Sequence, residues 1–171
     1  VDPPAEYLGT VWPPTRQEQS EPEAVSPPTP SDSYLAAVSF ARNDASSRGT
    51  SELEPAHLLL GVLNVADSVV LEAFSRLKLS AEVVANSIER QLPAPTAGAA
   101  TDIHESKMVR RALAFAQHEA QAMRSPAMGP AHILIGLIRA GESVAAEALQ
   151  TAGFNVYAFR EEIFGINREE S

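Results

Sequence analysis

The chain of 171 residues has a formal net charge of −9, from 13 basic and 22 acidic side chains. This length is enough for one domain with a hydrophobic core, and the acidic balance argues against nucleic-acid or anionic-membrane partners. The absence of cysteine excludes disulfides, thiolate metal sites and a cysteine nucleophile. No apolar run approaches the roughly 20 residues that a membrane-spanning helix requires.

Residues 1–32 are predicted to be a proline-rich acidic tail, because eight of the 13 prolines fall within them. Proline removes backbone donors and fixes φ, so an extended, solvated segment is expected. The only tryptophan, Trp12, lies there. Two interpretations are open: a disordered spacer, or a short docking motif in which Trp12 anchors to a partner or folds back on its own domain.

Helical periodicity begins after Ser31 and continues through residues 33–92, the first predicted repeat. Ser31, with its neighbours, is a candidate N-cap, and Gly49 is expected to end the first helix. A second helix, apolar nearly all round and therefore buried, is predicted to open at Pro55. Third and fourth helices are expected from about Ser68 and after Ser80.

A linker is predicted over residues 93–102, followed by a second repeat over 103–166 and a C-terminal tail over 167–171. Asp102 and Glu105 have the spacing of a capping box for the first helix of this repeat. Pro130 should open its buried helix, and the last helix should bury Phe159, Ile163 and also Phe164. No period-2 alternation of useful length predicts a strand.

The two predicted repeats agree in sequence at a fixed offset of 75 residues. Pro55-Ala-His-Leu-Leu-Leu-Gly-Val-Leu63 recurs as Pro130-Ala-His-Ile-Leu-Ile-Gly-Leu-Ile138. Neither copy can bury its apolar face alone, so the two are expected to pack on each other. The predicted fold is all-α, with eight helices forming two pseudo-twofold four-helix repeats.

These residues resemble the double Clp-N repeat, the N-terminal domain of Clp/Hsp100 AAA+ unfoldases. The second copy is the more similar one, and Ala116-Gln-His-Glu-Ala120 with Gly136-Leu-Ile-Arg-Ala-Gly-Glu-Ser-Val144 looks most like the ClpC branch. The resemblance implies a non-enzymatic module that binds client or adaptor proteins and works with Clp ATPase or peptidase subunits. It also favours a cytoplasmic or organelle-stromal location, whereas Val1 in first position suggests a processed form or an expressed fragment.

Two departures from that family qualify what the resemblance implies. The phosphate-binding Gly-x-x-x-x-Gly-Lys-Ser/Thr loop is absent from these residues, which leaves two interpretations: a stand-alone Clp accessory protein, or the N-domain of a longer AAA+ ATPase. The glutamate that precedes the repeat's histidine in ClpC-like members, and that recognises phosphorylated arginine, is replaced by Ala56 and Ala131. A methyl group cannot bind a guanidinium, so phosphoarginine binding is predicted to be weak or lost.

Histidines offer the main chemistry to be weighed against a structural role. His57 and His132 occupy equivalent positions, so a paired metal or small-ligand site is one hypothesis. The favoured prediction is that each imidazole is partly buried and hydrogen-bonded to backbone at a helix start. His104-Glu105 and His118-Glu119 begin like the zinc-protease motif, but neither has its second histidine. No catalytic, cofactor or metal site is therefore predicted.

The only basic cluster, Lys107, Arg110 and Arg111, lies at the start of the second repeat. It is either ordinary solvated helix surface or a recognition patch for acidic peptide or phosphate beside the groove between the repeats. The residues predicted to contact a protein partner are Ser31, Tyr34, Ser106, Lys107, Arg110, Arg111 and Trp12.

Overall fold

The computed structural model describes residues 28–96 and 98–169, and it contains eight α-helices within them. The first repeat holds α1 (Asp32–Ser47), α2 (Pro55–Asn64), α3 (Ser68–Arg76) and α4 (Ala81–Glu89). The second holds α5 (Lys107–Ala122), α6 (Pro130–Ala140), α7 (Val144–Thr151) and α8 (Val156–Glu169). The predicted all-α fold of eight helices is confirmed. The domain boundaries given above remain predictions.

Helix starts follow from capping side chains and from proline. The hydroxyl of Ser31 accepts a hydrogen bond from Tyr34 N, and Ser80, Ser106 and Ser143 cap α4, α5 and α7 in the same way. Proline opens α2 and α6, where its missing N–H costs nothing. Chain reversals use positive φ at three glycines of the described residues, Gly49 (73°), Gly141 (117°) and Gly153 (102°).

Helices α2 and α6 form the centre of the core. Their side chains at Leu58, Leu59, Ile133 and Leu134 are fully buried. Each packs most extensively against the long helix before it, α1 on α2 and α5 on α6, and α2 also contacts α6. No single helix in the described part of the chain is long and apolar enough to cross a membrane; α2 and α3 pass that test only as a pair bent by 93°.

Two pairs of two-residue parallel strands correct the prediction that no strand is present. β1 (Thr29–Pro30) pairs with β4 (Ala127–Met128), and β2 (Glu52–Leu53) pairs with β3 (His104–Glu105). The segment that precedes α1 thus pairs with the second repeat, and the segment that precedes α5 pairs with the first. Alternation cannot be detected over two residues, so no sequence pattern indicated these strands.

Two local predictions are wrong. Asp102 and Glu105 do not form a capping box, because Ser106 caps α5 and Glu105 lies in β3. In a capping box the Glu105 carboxylate would accept from the backbone N–H of Asp102. It instead forms an ion pair with Arg42 at 3.0 Å. Phe164 is 50% exposed instead of buried, whereas Phe159 and Ile163 lie in the core. Phe164 follows Ile163 directly and therefore faces about 100° away from it.

Candidate functional site

The first turn of α5 presents the predicted basic cluster to solvent. Lys107, Arg110 and Arg111 are all exposed, and none of them forms an ion pair with a carboxylate among the described residues. Arg110 donates instead to the carbonyl of Glu105 at 2.8 Å. The hydroxyl of Ser106 is buried and accepts from Val109 N at 3.1 Å, so it is occupied as a cap. These cations can therefore attract an acidic segment without first breaking an ion pair.

An aromatic ring extends this basic surface along α5. The guanidinium of Arg111 lies 5.4 Å from the centroid of the Phe115 ring, and that of Arg139 on α6 lies 4.4 Å from it. Arg139 also contacts Nδ1 of His118 at 3.1 Å. Stacking on a ring holds a guanidinium in place while leaving most of its donors available. Sequence reasoning missed Phe115 and Arg139, because α6 supplies the second cation from a distant part of the chain.

The start of α1 is equivalent to that of α5 but offers no cations. The Ser31 hydroxyl accepts from Tyr34 N at 3.1 Å, and the side chain of Tyr34 is only 8% exposed. Burial first, and then the negative charge of Glu105, raise the pKa of the Tyr34 phenol. Of the predicted contact residues, Ser106, Lys107, Arg110 and Arg111 thus come together on α5. Ser31 and Tyr34 lie at the start of α1, and Trp12 lies outside the described residues.

A cavity of about 190 Å³ lies between the repeats, beside Ser31. The first repeat contributes Ser31, Asp67 and Val69 to its wall, and the second contributes Ser125, Pro126, Ala127, Gly129, Ala131, His132, Ile163 and Asn167. Its only carboxylate is that of Asp67, which already accepts bonds from Val69 N and Val70 N as the cap of α3. Ala131, which stands where the resemblance to ClpC-like members would imply a glutamate, presents only a methyl group. Asp67 was not predicted, because only the packing of the repeats brings it here.

Both repeat histidines bind backbone at a helix start, as predicted. Nδ1 of His57 accepts from Glu54 N at 3.0 Å, and Nδ1 of His132 accepts from Gly129 N at 2.9 Å. Burial is the main reason that the pKa of each imidazole is lowered. Nε2 of His132 contacts the Ser125 hydroxyl at 3.2 Å, whereas Nε2 of His57 is buried without a hydrogen-bond partner in the described structure. The nitrogen that faces the helix start is therefore already used in both rings.

A buried ion pair that sequence reasoning missed links α5 to α8. The carboxylate of Glu119 is 4% exposed and is bound by the guanidinium of Arg160, with Arg139 3.8 Å away. At the equivalent position of the first repeat, Asp44 is bound by Arg48 at 2.9 Å. These groups are neutralised by each other, which favours a structural role. No cluster of three or more potential metal ligands occurs among the described residues.

Comparison with known proteins relates this chain to a protein family. The family model of the Clp repeat (R) N-terminal domain matches residues 104–170, the second repeat. ClpC/MecB of Bacillus subtilis, a negative regulator of genetic competence, is 26% identical over 126 residues, which are 74% of this chain and 15% of that protein. The chaperone protein ClpB of Oceanobacillus iheyensis is 26% identical over 129 residues, covering 74% and 16%. The chain thus spans less than a fifth of the length of these curated relatives.

Solved structures agree on the fold. The N-terminal domain of Hsp104 from Candida albicans superposes with a TM-score of 0.66 at 16% identity, covering 81% of this chain and 91% of that one. The N-terminal domain of ClpD from Arabidopsis thaliana gives 0.59 at 17% identity, covering 83% and 95%. The solved structures show the fold, and the family match with the repeat periodicity identifies the chain as carrying a Clp-N repeat domain, homologous to the N-terminal domains of Clp ATPases.

Proposed function

We propose that this chain is a non-enzymatic protein-interaction module that acts as a stand-alone accessory or adaptor for a Clp unfoldase or its peptidase. Its relatives include an ATP-binding subunit of Clp protease, ClpC of Staphylococcus saprophyticus, of which the chain matches 15%. The observation that supports binding most directly is the exposed basic surface of α5, Lys107, Arg110 and Arg111. On a chain of net charge −9, cations without carboxylate partners form a local site for an acidic segment of a client or adaptor.

The aromatic ring beside these cations supports a peptide ligand on this side of α5. Phe115 supplies an apolar contact between two guanidinium groups, and the neighbouring charges supply orientation. Arginine and aromatic side chains are those that contribute most to protein interfaces. The cavity beside Ser31 is lined by an acid and hydroxyls and has no cation, so it suits a donor-bearing side chain better than a phosphate. Phosphoarginine binding is proposed to be weak or lost.

A pull-down from native host lysate, read by mass spectrometry, tests this function. The pair Lys107→Glu/Arg111→Glu should lose most of the Clp subunits, adaptors or clients that the unchanged chain recovers. The matched control is Lys78→Glu/Arg90→Glu, which reverses two exposed cations that flank α4 and changes the net charge equally. Equal recovery by both pairs would refute the α5 surface, and recovery of unrelated complexes alone would refute the Clp role.

Two alternative functions each have their own test. If the chain is part of a full-length AAA+ ATPase, the gene will continue beyond Ser171 into phosphate-binding loops. If His57 and His132 hold a metal or small ligand, elemental analysis and native mass spectrometry will find a stoichiometric occupant. The second is less favoured, because Nδ1 of each ring accepts a backbone hydrogen bond and both rings are buried.

A further inference from the structure

The linker between the repeats takes a defined path over the end of α1. Thr96 N donates to the carbonyl of Ser47 at 2.9 Å, and Ala100 N donates to that of Ser46 at 3.1 Å. The hydroxyl of Ser46 returns a bond to the carbonyl of Ala100 at 2.5 Å. The linker then enters β3, which pairs with β2 of the first repeat. It therefore satisfies the carbonyl of Ser47, which would otherwise need water, and adds a second donor to that of Ser46, which already accepts from Gly49 N at 2.9 Å.

The strand pairing into which the linker leads has a counterpart in the second repeat. Shifting β3 and β2 by 75 residues gives β1 and β4, which also pair in parallel. The bond from Ser106 N to the carbonyl of Leu53, at 3.0 Å, has its counterpart from Ser31 N to Met128 at 2.9 Å. β1 thus lies beside the segment that follows α5, as β3 lies beside the segment that follows α1. By the same shift, linker residues 95–103 correspond to residues 20–28.

The charges of the N-terminal residues and of the α5 end are consistent with an equivalent contact in the second repeat. Residues 1–27 hold five acidic side chains and one basic one, Arg16. Thr96, which lies against Gly49 at the end of α1, corresponds to Glu21, and Gly49 corresponds to Arg124. Arg124 is exposed, has no carboxylate partner in the described structure, and has a left-handed φ of 55° as Gly49 has 73°. The shift therefore sets an acid opposite an unpaired cation.

Beside Arg124 the surface is concave. A groove of about 230 Å³ is lined by Met123, Arg124, Ser125, Pro126, Phe164, Asn167 and Arg168. Phe164, half-exposed, is the largest apolar side chain on its rim. In the first repeat the equivalents of Met123 and Phe164 are Arg48 and Glu89, which bind each other at 2.6 Å. The substitution of that ion pair by apolar residues leaves a groove that a chain segment can cover.

We propose that residues 20–27 of this chain dock on the end of α5 beside Phe164, with Glu21 facing Arg124, as the linker docks on the end of α1. The acidic segment then covers the groove, and the N-terminal tail is fixed to the second repeat up to Ser20. This contact is independent of the partner surface at the start of α5.

Cysteine pairs test the position directly, because the chain has no cysteine of its own. A Cβ built on Gly49 lies 3.9 Å from the Thr96 Cβ, a separation typical of disulfides. The full chain with Glu21→Cys/Arg124→Cys should therefore form an intramolecular disulfide about a hundredfold faster than Glu6→Cys/Arg124→Cys, whereas the shorter tether alone would give about fivefold. Mass spectrometry and thiol titration measure both rates. A ratio of about fivefold or less would overturn the proposal.

Proteolysis tests the charge. Glutamyl endopeptidase should cleave after Glu23, which precedes Ala24, several-fold faster in Arg124→Glu than in the unchanged chain, because repulsion releases the segment. Arg90→Glu, an equal charge change at an exposed site of the first repeat, is the control and should leave the rate unaltered. Identical rates in Arg124→Glu and Arg90→Glu would contradict docking. Circular dichroism of each variant verifies that the helices remain folded.

Discussion

At the residue scale, the closest helix approaches depend on one glycine per repeat. A Cβ at Gly61 would lie 2.2 Å from the carbonyl oxygen of Ala37, and one at Gly136 would lie 2.1 Å from that of Ala112. These backbone atoms belong to α1 and α5, so α2 and α6 touch the long helices directly. The two glycines are 75 residues apart, and the same contact is therefore built twice.

Replacing Gly136 by alanine should destabilise the domain by about 3 kcal/mol, because the methyl group must push α5 and α6 apart. Gly165→Ala is the matched control: α8 leaves open space there, so alanine should add stability of up to about 1 kcal/mol through helix propensity. Urea unfolding measures both. A Gly136→Ala midpoint equal to that of the unchanged chain would show that the helices can separate at no cost.

The repeat histidines make stability depend on pH at the same scale. Burial lowers the pKa of His57 and His132 from the ordinary value of 6.5. Asp44 partly opposes this shift at His57 and Arg48 adds to it, whereas Glu119 and Asp67 oppose it at His132. Below pH 6.5 these histidines therefore bind protons in the unfolded chain but less readily in the folded one. Their contribution to the free energy of unfolding is fully present above pH 6.5 and is lost as the pH falls.

Unfolding by urea at pH 7.5 and pH 5.5 should thus give a lower stability at the acidic pH. The double variant His57→Gln/His132→Gln keeps an acceptor for Glu54 N and Gly129 N but cannot titrate, and it should show a smaller difference between the two values. His104→Gln, an exposed histidine, serves as the control and should keep the full difference. A double variant with an undiminished pH dependence would assign the effect to other groups.

At the element scale, the two repeats neutralise a buried carboxylate differently. Asp44 is bound by Arg48, the C-cap residue of its own helix, and Arg48 also binds Glu89 and the Pro93 carbonyl, the latter at 2.7 Å. Glu119 instead receives Arg160 from α8. Arg48 thus ties α1 to α4 and to the linker, whereas Arg160 ties α5 to α8. The two repeats share the same helix packing, but the arginine that neutralises the carboxylate comes from a different element in each.

Arg48→Met, which installs the residue of the second repeat, should lower stability by about 3 kcal/mol, because Asp44 is left without its counterion. Arg76→Met is the control: Arg76 pairs with Glu72 and Glu169 at the surface, where water screens the charges, and its loss should change little. Thermal and urea unfolding of the two variants compare them. Equal small effects would mean that Asp44 is solvated in the folded domain.

The first residues of the helices could be predicted, because the capping serines and prolines that determine them are adjacent in sequence. Ser31, Pro55, Ser80, Pro130 and Ser143 each stand where the helix after them begins. The capping box at Asp102 failed, because its spacing is also compatible with extended chain and the strand pairing decided between them. Strands of two residues depend on contacts between distant segments, and local sequence does not encode those contacts.

At the scale of the whole molecule, the 75-residue period predicted the architecture, while the composition of the sites depended on packing. The basic cluster on α5 was visible because its members are near neighbours in sequence. The cavity that joins Ser31, Asp67 and Ala131 was not, since its walls come from residues up to 136 positions apart. Phe115 with Arg139 was missed for the same reason. The sequence period predicts the arrangement of the helices, whereas contacts between distant residues determine which side chains line each site.

The reciprocal strand pairs described above have a consequence for how the two halves associate. Each half lends its leading strand to the other, which is the contact pattern of a strand-exchanged homodimer made within one polypeptide. Covalent connection through residues 93–103 replaces a second-order encounter by a tethered one, with an effective concentration on the order of millimolar. Such a pair stays assembled however dilute the protein becomes, and its two halves are free to diverge in sequence.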